Sequence, residues 1–401
     1  MPPQPAHPWP AAHHTQESVV IVGGAIVGSA IAWFLRELGF AGAITVIERD
    51  PTYRYASTTL SAASIRTQFA CAVNIQMGLF GAAFVRDLRR HFGPEADVGF
   101  VERGYLVLGD LASVAARRER AAMQIVQGAA IDTLTPAEAH ARFPWLETGD
   151  LGIATTATRN EGWIDAWALL SLFRRAARAR GVTYVEAQAV SVAVTGLRAR
   201  GVVLADGSLI PADWCVNAAG PASGALMRPL GIELPVTPRK RTVFVIRAPL
   251  AATGFPMVFD TSGAWIRPEG EGFICGIAPD LANDPDATGD FEPDYGLLEA
   301  RLWPALAHRI PALEQLRLQR AWAGHYEFNA LDQNGIIGPH DEIANLIFAT
   351  GFSGHGVMQS PATGRGVAEL ITRGRFEAID LSPLGYGRIR AGRPLPESIV
   401  Y

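Results

Sequence analysis

Cysteine is scarce in this 401-residue chain. Cys71, Cys215 and Cys275 lie far apart, form no CxxC pair and show no zinc-type spacing. Their odd number argues against a disulfide framework, so no metal site is expected and a reducing cytoplasm is the compartment that fits. Lysine and arginine are absent before Arg36, and the apolar stretch Val19–Leu35 therefore lacks the positive flank of a signal peptide. That stretch matches GxxxG at Gly24–Gly28 but is short for a membrane span, and no later uninterrupted apolar run reaches spanning length. There is no basic block, and the net charge of −4 is small for this length, which sets nucleic acid aside as a partner. No repeat of solenoid type is present. Residues 1–16, rich in Pro, Ala and His, are expected to form a flexible leader, and His13–His14 is too short a pair to bind a metal by itself.

What is present begins with length and apolar content, 49% hydrophobic residues, enough for two or more domains with large cores. Ser18–Asp50 carries the clearest pattern. Val19–Val22 reads as a buried parallel strand, Gly23, Gly24 and Gly28 follow at once, and a helical pattern runs to about Leu38 and stops at Gly39. A second strand, Ala43–Ile47, ends on Glu48. This is a βαβ unit whose glycines let the backbone approach a pyrophosphate. Its helix N-terminus offers N–H groups, and the acid accepts a ribose hydroxyl. One position departs from GxGxxG: Ala25 stands where the middle glycine would be.

Further along, a helix with apolar Ile75, Leu79, Phe80, Phe84, Leu88 and Phe92 is expected, then a strand over Phe100–Gly109 and a helix over Leu111–Ala130. Thr135 and Glu138 form a capping box for another helix. Asp165 would cap a long helix, Ala166–Arg180, ending at Gly181. Strands are read at Leu151–Thr158, Thr183–Glu186, Ala189–Thr195, Gly201–Ala205 and Ala212–Asn217, with Asp206-Gly207 as a hairpin turn. An antiparallel set follows at Arg241–Arg247, Met257–Asp260, Ala264–Arg267 and Gly272–Ala278, then a helix over Glu292–Ala307. Asn345–Thr350 is a last buried strand. It runs into the glycine turn Gly351–Gly356, with a helix expected from about Pro361 to Arg373.

These motifs together resemble the FAD-dependent amine and amino-acid oxidoreductases of the D-amino-acid-oxidase superfamily, which includes glycine oxidase, monomeric sarcosine oxidase and sarcosine dehydrogenase. The matching pieces are IVGGAIVGSAIAWFL with Glu48, SIRTQF before NIQM, EGWID before a helix, VNAAGP, GHYEFNALDQNGIIG and TGFSGHGVMQSPATG. The sarcosine-dehydrogenase-like branch, with its FAD-dependent oxidoreductase-domain proteins, is the nearest in pattern. The resemblance implies an α/β fold: a discontinuous Rossmann-like FAD-binding domain (residues 17–90, 160–230 and 325–401). It also implies an inserted substrate domain (91–159 and 231–324) on an antiparallel β-sheet flanked by helices.

It also implies roles. Gly23, Gly24, Ala25 and Gly28 would hold the FAD pyrophosphate, and Glu48 and Arg49 the adenosine ribose end. Val190 would meet the adenine side through its backbone, and Ala218, Ala219 and Gly220 would line the dinucleotide. Gly351, Phe352, Ser353, Gly354, His355, Gly356, Val357 and Met358 would wrap the isoalloxazine, giving N–H groups and a helix end to the edge that gains negative charge on reduction. In the sarcosine-oxidase branch a cysteine two residues before the motif tyrosine carries the flavin. Gly324 occupies that place here, so FAD is expected to be non-covalent. Two lysines of that branch, one holding the substrate carboxylate and one speeding reaction with oxygen, align with Met358 and Ile274. Oxygen and another electron acceptor therefore both stay open.

Among candidate catalytic residues, Arg66 is expected to clamp a substrate carboxylate, since a guanidinium binds one bidentately; the alternative is a solvated loop charge. Tyr326 would close the pocket over a substrate. His325 reads more simply as packing. His355 would tune the flavin ring or bond a carbonyl. Arg239, Lys240 and Arg241 read as a solvated basic run or as one residue at a pocket mouth, and Trp163 and Asp165 as packing and capping. The expected activity is FAD-dependent oxidation of a small amino acid or N-substituted amino acid by hydride transfer to flavin N5, giving an imine that water hydrolyses. Two alternatives remain: an FAD-dependent 2-hydroxy-acid dehydrogenase using His325 or His355 as base, and a non-catalytic flavoprotein assembly factor or subunit. Self-association into a homo-oligomer is left open.

Overall fold

A computed structural model of the protein describes residues 17–397. The expected leader, with His13 and His14, lies outside these residues. The chain forms two compact units. One contains the segments up to Arg54, Trp167–Thr237 and Glu327–Leu395, and the other Tyr55–Ala166, Pro238–Tyr326 and the residues from Pro396.

The first unit is built on a six-stranded sheet. In spatial order its strands are Ile336–Pro339, Leu346–Thr350, Trp214–Asn217, Val19–Val22, Ile44–Glu48 and Thr183–Glu186. All pair in parallel except the first, which runs antiparallel at the edge. Val19–Val22 lies at its centre, with Val20 between Cys215 and Thr45, and all four of its residues are buried. This explains the uninterrupted apolar run: a central parallel strand has no solvent face. Asp206-Gly207 makes the expected hairpin, with Leu204 N–H donating to Ser208 O, in a separate three-stranded sheet. Among the described residues no helix is long and apolar enough to cross a membrane.

The last helix begins earlier than expected, at Gly356, and encloses Pro361. A proline inside a helix withholds one N–H and leaves the carbonyl four residues back without its partner. Here that carbonyl is Val357 O, and Ser360 Oγ donates to it at 2.9 Å. The serine supplies locally what the proline removed, so the helix passes through. This helix packs closely on Ile26–Glu37: a Cβ at Gly364 would stand 2.8 Å from the Ala30 carbonyl carbon and 2.9 Å from Ala30 Cβ.

The second unit holds an eight-stranded, largely antiparallel sheet with one parallel pair, Met257–Phe259 beside Tyr105–Asp110. Leu106, Leu108, Phe244, Ile246 and Phe273 on its strands bury against Leu302, Leu306 and Ile310. The strand Ile131–Leu134, at the sheet edge, was not expected; the preceding helix stops at Val126 and Gly128 (φ +97°) turns the chain. The helix read over Glu292–Ala307 begins at Tyr295 and widens to π geometry at Leu298–Leu302, next to Pro304.

The compact units also differ from the expected domain boundaries. Residues 55–90 belong with the second unit because their partners do. Ser64–Ile65 pairs with Gly162–Trp163, and Glu397 accepts from Ala70 N–H (2.8 Å) at the start of the helix Ala72–Arg86. That helix consequently starts three residues before Ile75. Gly364→Val is expected to lower stability by about 1–3 kcal/mol, because backbone lies where the side chain would go. Chemical denaturation followed by circular dichroism measures it.

Candidate functional site

The glycine turn after Val22 is shaped by contact. Gly23 has φ +100°, and a Cβ there would lie 2.2 Å from Ala218 O. A Cβ on Gly28 would lie 1.9 Å from Gly23 O. Neither position admits a side chain. Ala25 is different: it precedes the helix Ile26–Glu37 with φ −69°, an ordinary L-residue conformation, so alanine there carries no strain. Glu48 accepts from Gly24 N–H (2.8 Å) and Asp50 N–H (2.9 Å), which fixes the acid against the turn. The first N–H groups of the helix have no intrahelical acceptor, and with the positive end of its dipole they suit an anion such as a pyrophosphate. Ala218 N–H donates to Val22 O, and Gly220 follows at φ +56°. Arg49 is exposed, and Val190 is 38% exposed on its strand.

The second glycine turn leaves the strand Leu346–Thr350 through Gly351 (φ +75°), Ser353 (φ +48°) and Gly354 (φ +98°). A serine in the left-handed region costs of order 1 kcal/mol. Its position is held because Ser353 Oγ accepts from Asn329 N–H (3.0 Å) and Ser353 N–H donates to Glu327 O (3.1 Å). Phe352, Ser353, His355, Val357 and Met358 are all buried. Glu327, absent from the sequence reading, organises this turn. Its Oε2 accepts from Gly351 N–H and from Thr350 Oγ1, both at 2.9 Å. Burial pushes its carboxyl up to about 7, against the opposing pull of the Gly351, Thr350 and Phe352 donors. The only sequence signal for it was an acid directly after Tyr326 in an apolar strand pattern.

In the second unit a cavity of about 40 Å³ is lined by Arg241, Thr242, His325 and Tyr326 among apolar Leu60, Val243, Trp265 and Ile277. The Arg241 guanidinium lies 5.1 Å from the Tyr326 ring centre and is held bidentately by Asp284. Burial raises the Tyr326 hydroxyl, with Arg241 and Arg66 drawing it down, so the phenol stays protonated at neutral pH.

Arg66 is placed differently from the expected clamp. It is 2% exposed, stacks over Phe69 at 4.1 Å, donates to Gln68 O at 2.6 Å and does not line the cavity. The cause is Glu161 of the EGWID motif. This fully buried carboxylate accepts from Thr67 N–H (2.7 Å), Gln68 N–H (3.0 Å) and Gln68 Nε2 (2.9 Å), and so folds the SIRTQF loop inward. His325 Nε2–H donates to Asp290 O at 2.6 Å and its ring stacks on Phe291. That nitrogen is therefore a committed donor, not a base. His355 belongs to the first unit. The aligned Met358 and Ile274 are buried apolar residues. Among the described residues no cluster of potential metal ligands occurs.

Residues 18–370 match the family model described as FAD dependent oxidoreductase (DAO). FAD-dependent oxidoreductase domain-containing protein 1 of Xenopus laevis is 37% identical, covering 94% of this chain and 84% of the relative. L-proline dehydrogenase from P. horikoshii has a similar structure, with a TM-score of 0.82 at 28% identity over 95% of this chain and 99% of that one. Glycine oxidase from Geobacillus kaustophilus follows at 0.76 and 25% identity, covering 92% and 98%.

Because Glu327 binds its proton more tightly folded than unfolded, its neutral form contributes stability that is complete below about pH 4.3 and lost as pH rises through about 7. The span corresponds to roughly 3–4 kcal/mol. Glu327→Gln is expected to flatten this part of the stability profile between pH 5 and 8, measured by thermal unfolding across about that range.

Proposed function

This chain belongs to the FAD-dependent oxidoreductase (DAO) family, and we propose that it oxidises a small carboxylated amine, an amino acid or an N-substituted one, at its C–N bond. The observation that carries the proposal is the cavity in the second unit, where a single arginine fork and two polar rims sit among apolar walls. That chemistry suits a small ligand with one anionic end. The names of the glycine oxidase and L-proline dehydrogenase relatives support the same substrate class.

FAD, when bound, supplies the two-electron acceptor. The turn after Val22 fits such a group, since backbone lies 2.2 Å from a Cβ at Gly23 and 1.9 Å from one at Gly28 and no side chain stands between the chain and a pyrophosphate; the second turn fits it through the free N–H groups where the helix starts at Gly356. We assign the pyrophosphate to Gly23, Gly24, Ala25 and Gly28, the ribose to Glu48, and the ring system to Gly351–Met358. Arg241 orients the carboxylate, Tyr326 donates a hydrogen bond, and Trp265 and Ile277 exclude water from the carbon that is oxidised. The amine binds deprotonated, so no residue is needed as general base, which agrees with the committed His325 ring. Arg66 acts from behind the wall, through its charge. Cys71, Cys215 and Cys275 are all buried and form no disulfide, and Gly324 stands two residues before the motif tyrosine, so FAD is held without a covalent bond.

Anaerobic mixing with glycine, sarcosine, L-proline, iminodiacetate and D-amino acids is expected to bleach the visible flavin band with at least one of them. If every carboxylated amine leaves the band intact, the reading is wrong. Arg241→Lys, which keeps the charge but loses the fork, is expected to raise KM about 10- to 100-fold, the equivalent of a charge-assisted bond of roughly 1.5–3 kcal/mol. Acid precipitation should release FAD completely to the supernatant; flavin retained in the pellet would contradict non-covalent binding.

A further inference from the structure

Residues 280–294 carry Asp280, Asp284, Asp286, Asp290, Glu292 and Asp294. In the second unit this acidic segment runs along the basic run Arg239–Arg241. Arg241 Nη1 and Nη2 donate to the two Asp284 carboxylate oxygens at 2.9 Å each. Lys240 Nζ meets Asp290 Oδ2 at 2.6 Å. Ala287 N–H donates to Pro238 O (3.0 Å), and Phe291 stacks on His325 at 4.1 Å. The segment thus straps the residues that line the cavity.

Two features separate Arg241 from the fully engaged arginines Arg309 and Arg388. Arg309 engages Nε, Nη1 and Nη2, with Asp260, Asp150 and the Glu147 carbonyl as acceptors, and Arg388 likewise uses all three nitrogens. Arg241 keeps a buried Nε–H with no hydrogen-bond partner among the described residues. Its Asp284 partner is only 3% exposed, but it sits on a strap whose second clasp, Asp290, is 47% exposed. A buried carboxylate therefore occupies the fork of a guanidinium that retains a spare donor, on a residue that lines the cavity.

We propose that Arg241 is a carboxylate-binding residue and that Asp284 is its built-in placeholder. A ligand carboxylate bonds Nε–H first, then takes the fork, and the strap lets go. The inference rests on the reading of this cavity as the carboxylate site. It makes the Arg241–Asp284 pair a determinant of specificity: a ligand must carry an anion strong enough to replace Asp284, and neutral amines do not. Fork geometry favours a planar carboxylate for that exchange.

The test uses FAD-loaded protein and propionate, a carboxylate with no amine to oxidise. Asp284→Asn removes the competing charge and is expected to bind propionate about tenfold more tightly or better, read by titration calorimetry. Lys240, the only lysine in the sequence, reports on the strap independently. Brief acetylation followed by peptide mapping should show Lys240 modified faster in the unvaried protein when propionate is present. Propionate affinity unchanged or weakened in Asp284→Asn overturns the proposal, and so does Lys240 reactivity indifferent to propionate. Should the variant fail to fold, the Lys240 measurement decides alone. Neither readout needs turnover, so failure here stays distinct from failure of the substrate reading, which shows as flavin left oxidised by every carboxylated amine.

Discussion

Carboxylates that accept main-chain N–H groups, those of Glu161, Glu327 and Glu397 buried and that of Glu48 partly so, hold the segments on which everything else depends. Glu48 takes Gly24, Glu327 takes Gly351, Glu161 takes Thr67 and Gln68, and Glu397 takes Ala70. Each of these segments is irregular backbone that a helix or sheet ladder cannot satisfy. A charged or shared-proton acceptor makes stronger bonds than a neutral one, and a buried N–H without an acceptor is costly. The glycines open space and the carboxylates stop the chain from collapsing into it. In the two glycine turns this combination leaves a cradle with backbone donors at its surface, which is what a dinucleotide needs.

The second unit uses charge in another way. Arg309 and its two aspartates are fully engaged, and they tie loops to the sheet. Arg241 and Lys240 instead meet acids from one segment, at the edge of a cavity. Pairing buried charges costs desolvation on both sides, so such a pair contributes little net stability compared with apolar packing. Its retention at a cavity lined otherwise by apolar and aromatic groups points to recognition more than to folding.

Much of the fold was legible in order along the chain. The βαβ unit, the strand Leu346–Thr350, the capping box at Thr135 and the hairpin at Asp206-Gly207 are local patterns, and their residues interact mainly with near neighbours. The departures come from a local side-chain bond in one place and from a distant pairing in another. The last helix begins at Gly356 because Ser360 completes the bond that Pro361 leaves open. Residues 55–90 fall in the second unit, where Ser64–Ile65 pairs with Gly162–Trp163 in a separate two-stranded sheet.

The sequence by itself determined the family, the cofactor and the positions of both glycine turns, because glycine, a strand run and a helix start carry their conformational demands in local residue type. Tertiary structure decided which charged residues line the cavity. Arg66 lies in a loop and Arg241 in a basic run, and neither neighbourhood tells which guanidinium lines a cavity. Glu161, far from Arg66 in sequence, draws its loop into the core, while Asp284 and the strap bring Arg241 to the cavity. Direction of a long side chain is set by the partners that burial supplies, and those partners come from other parts of the chain.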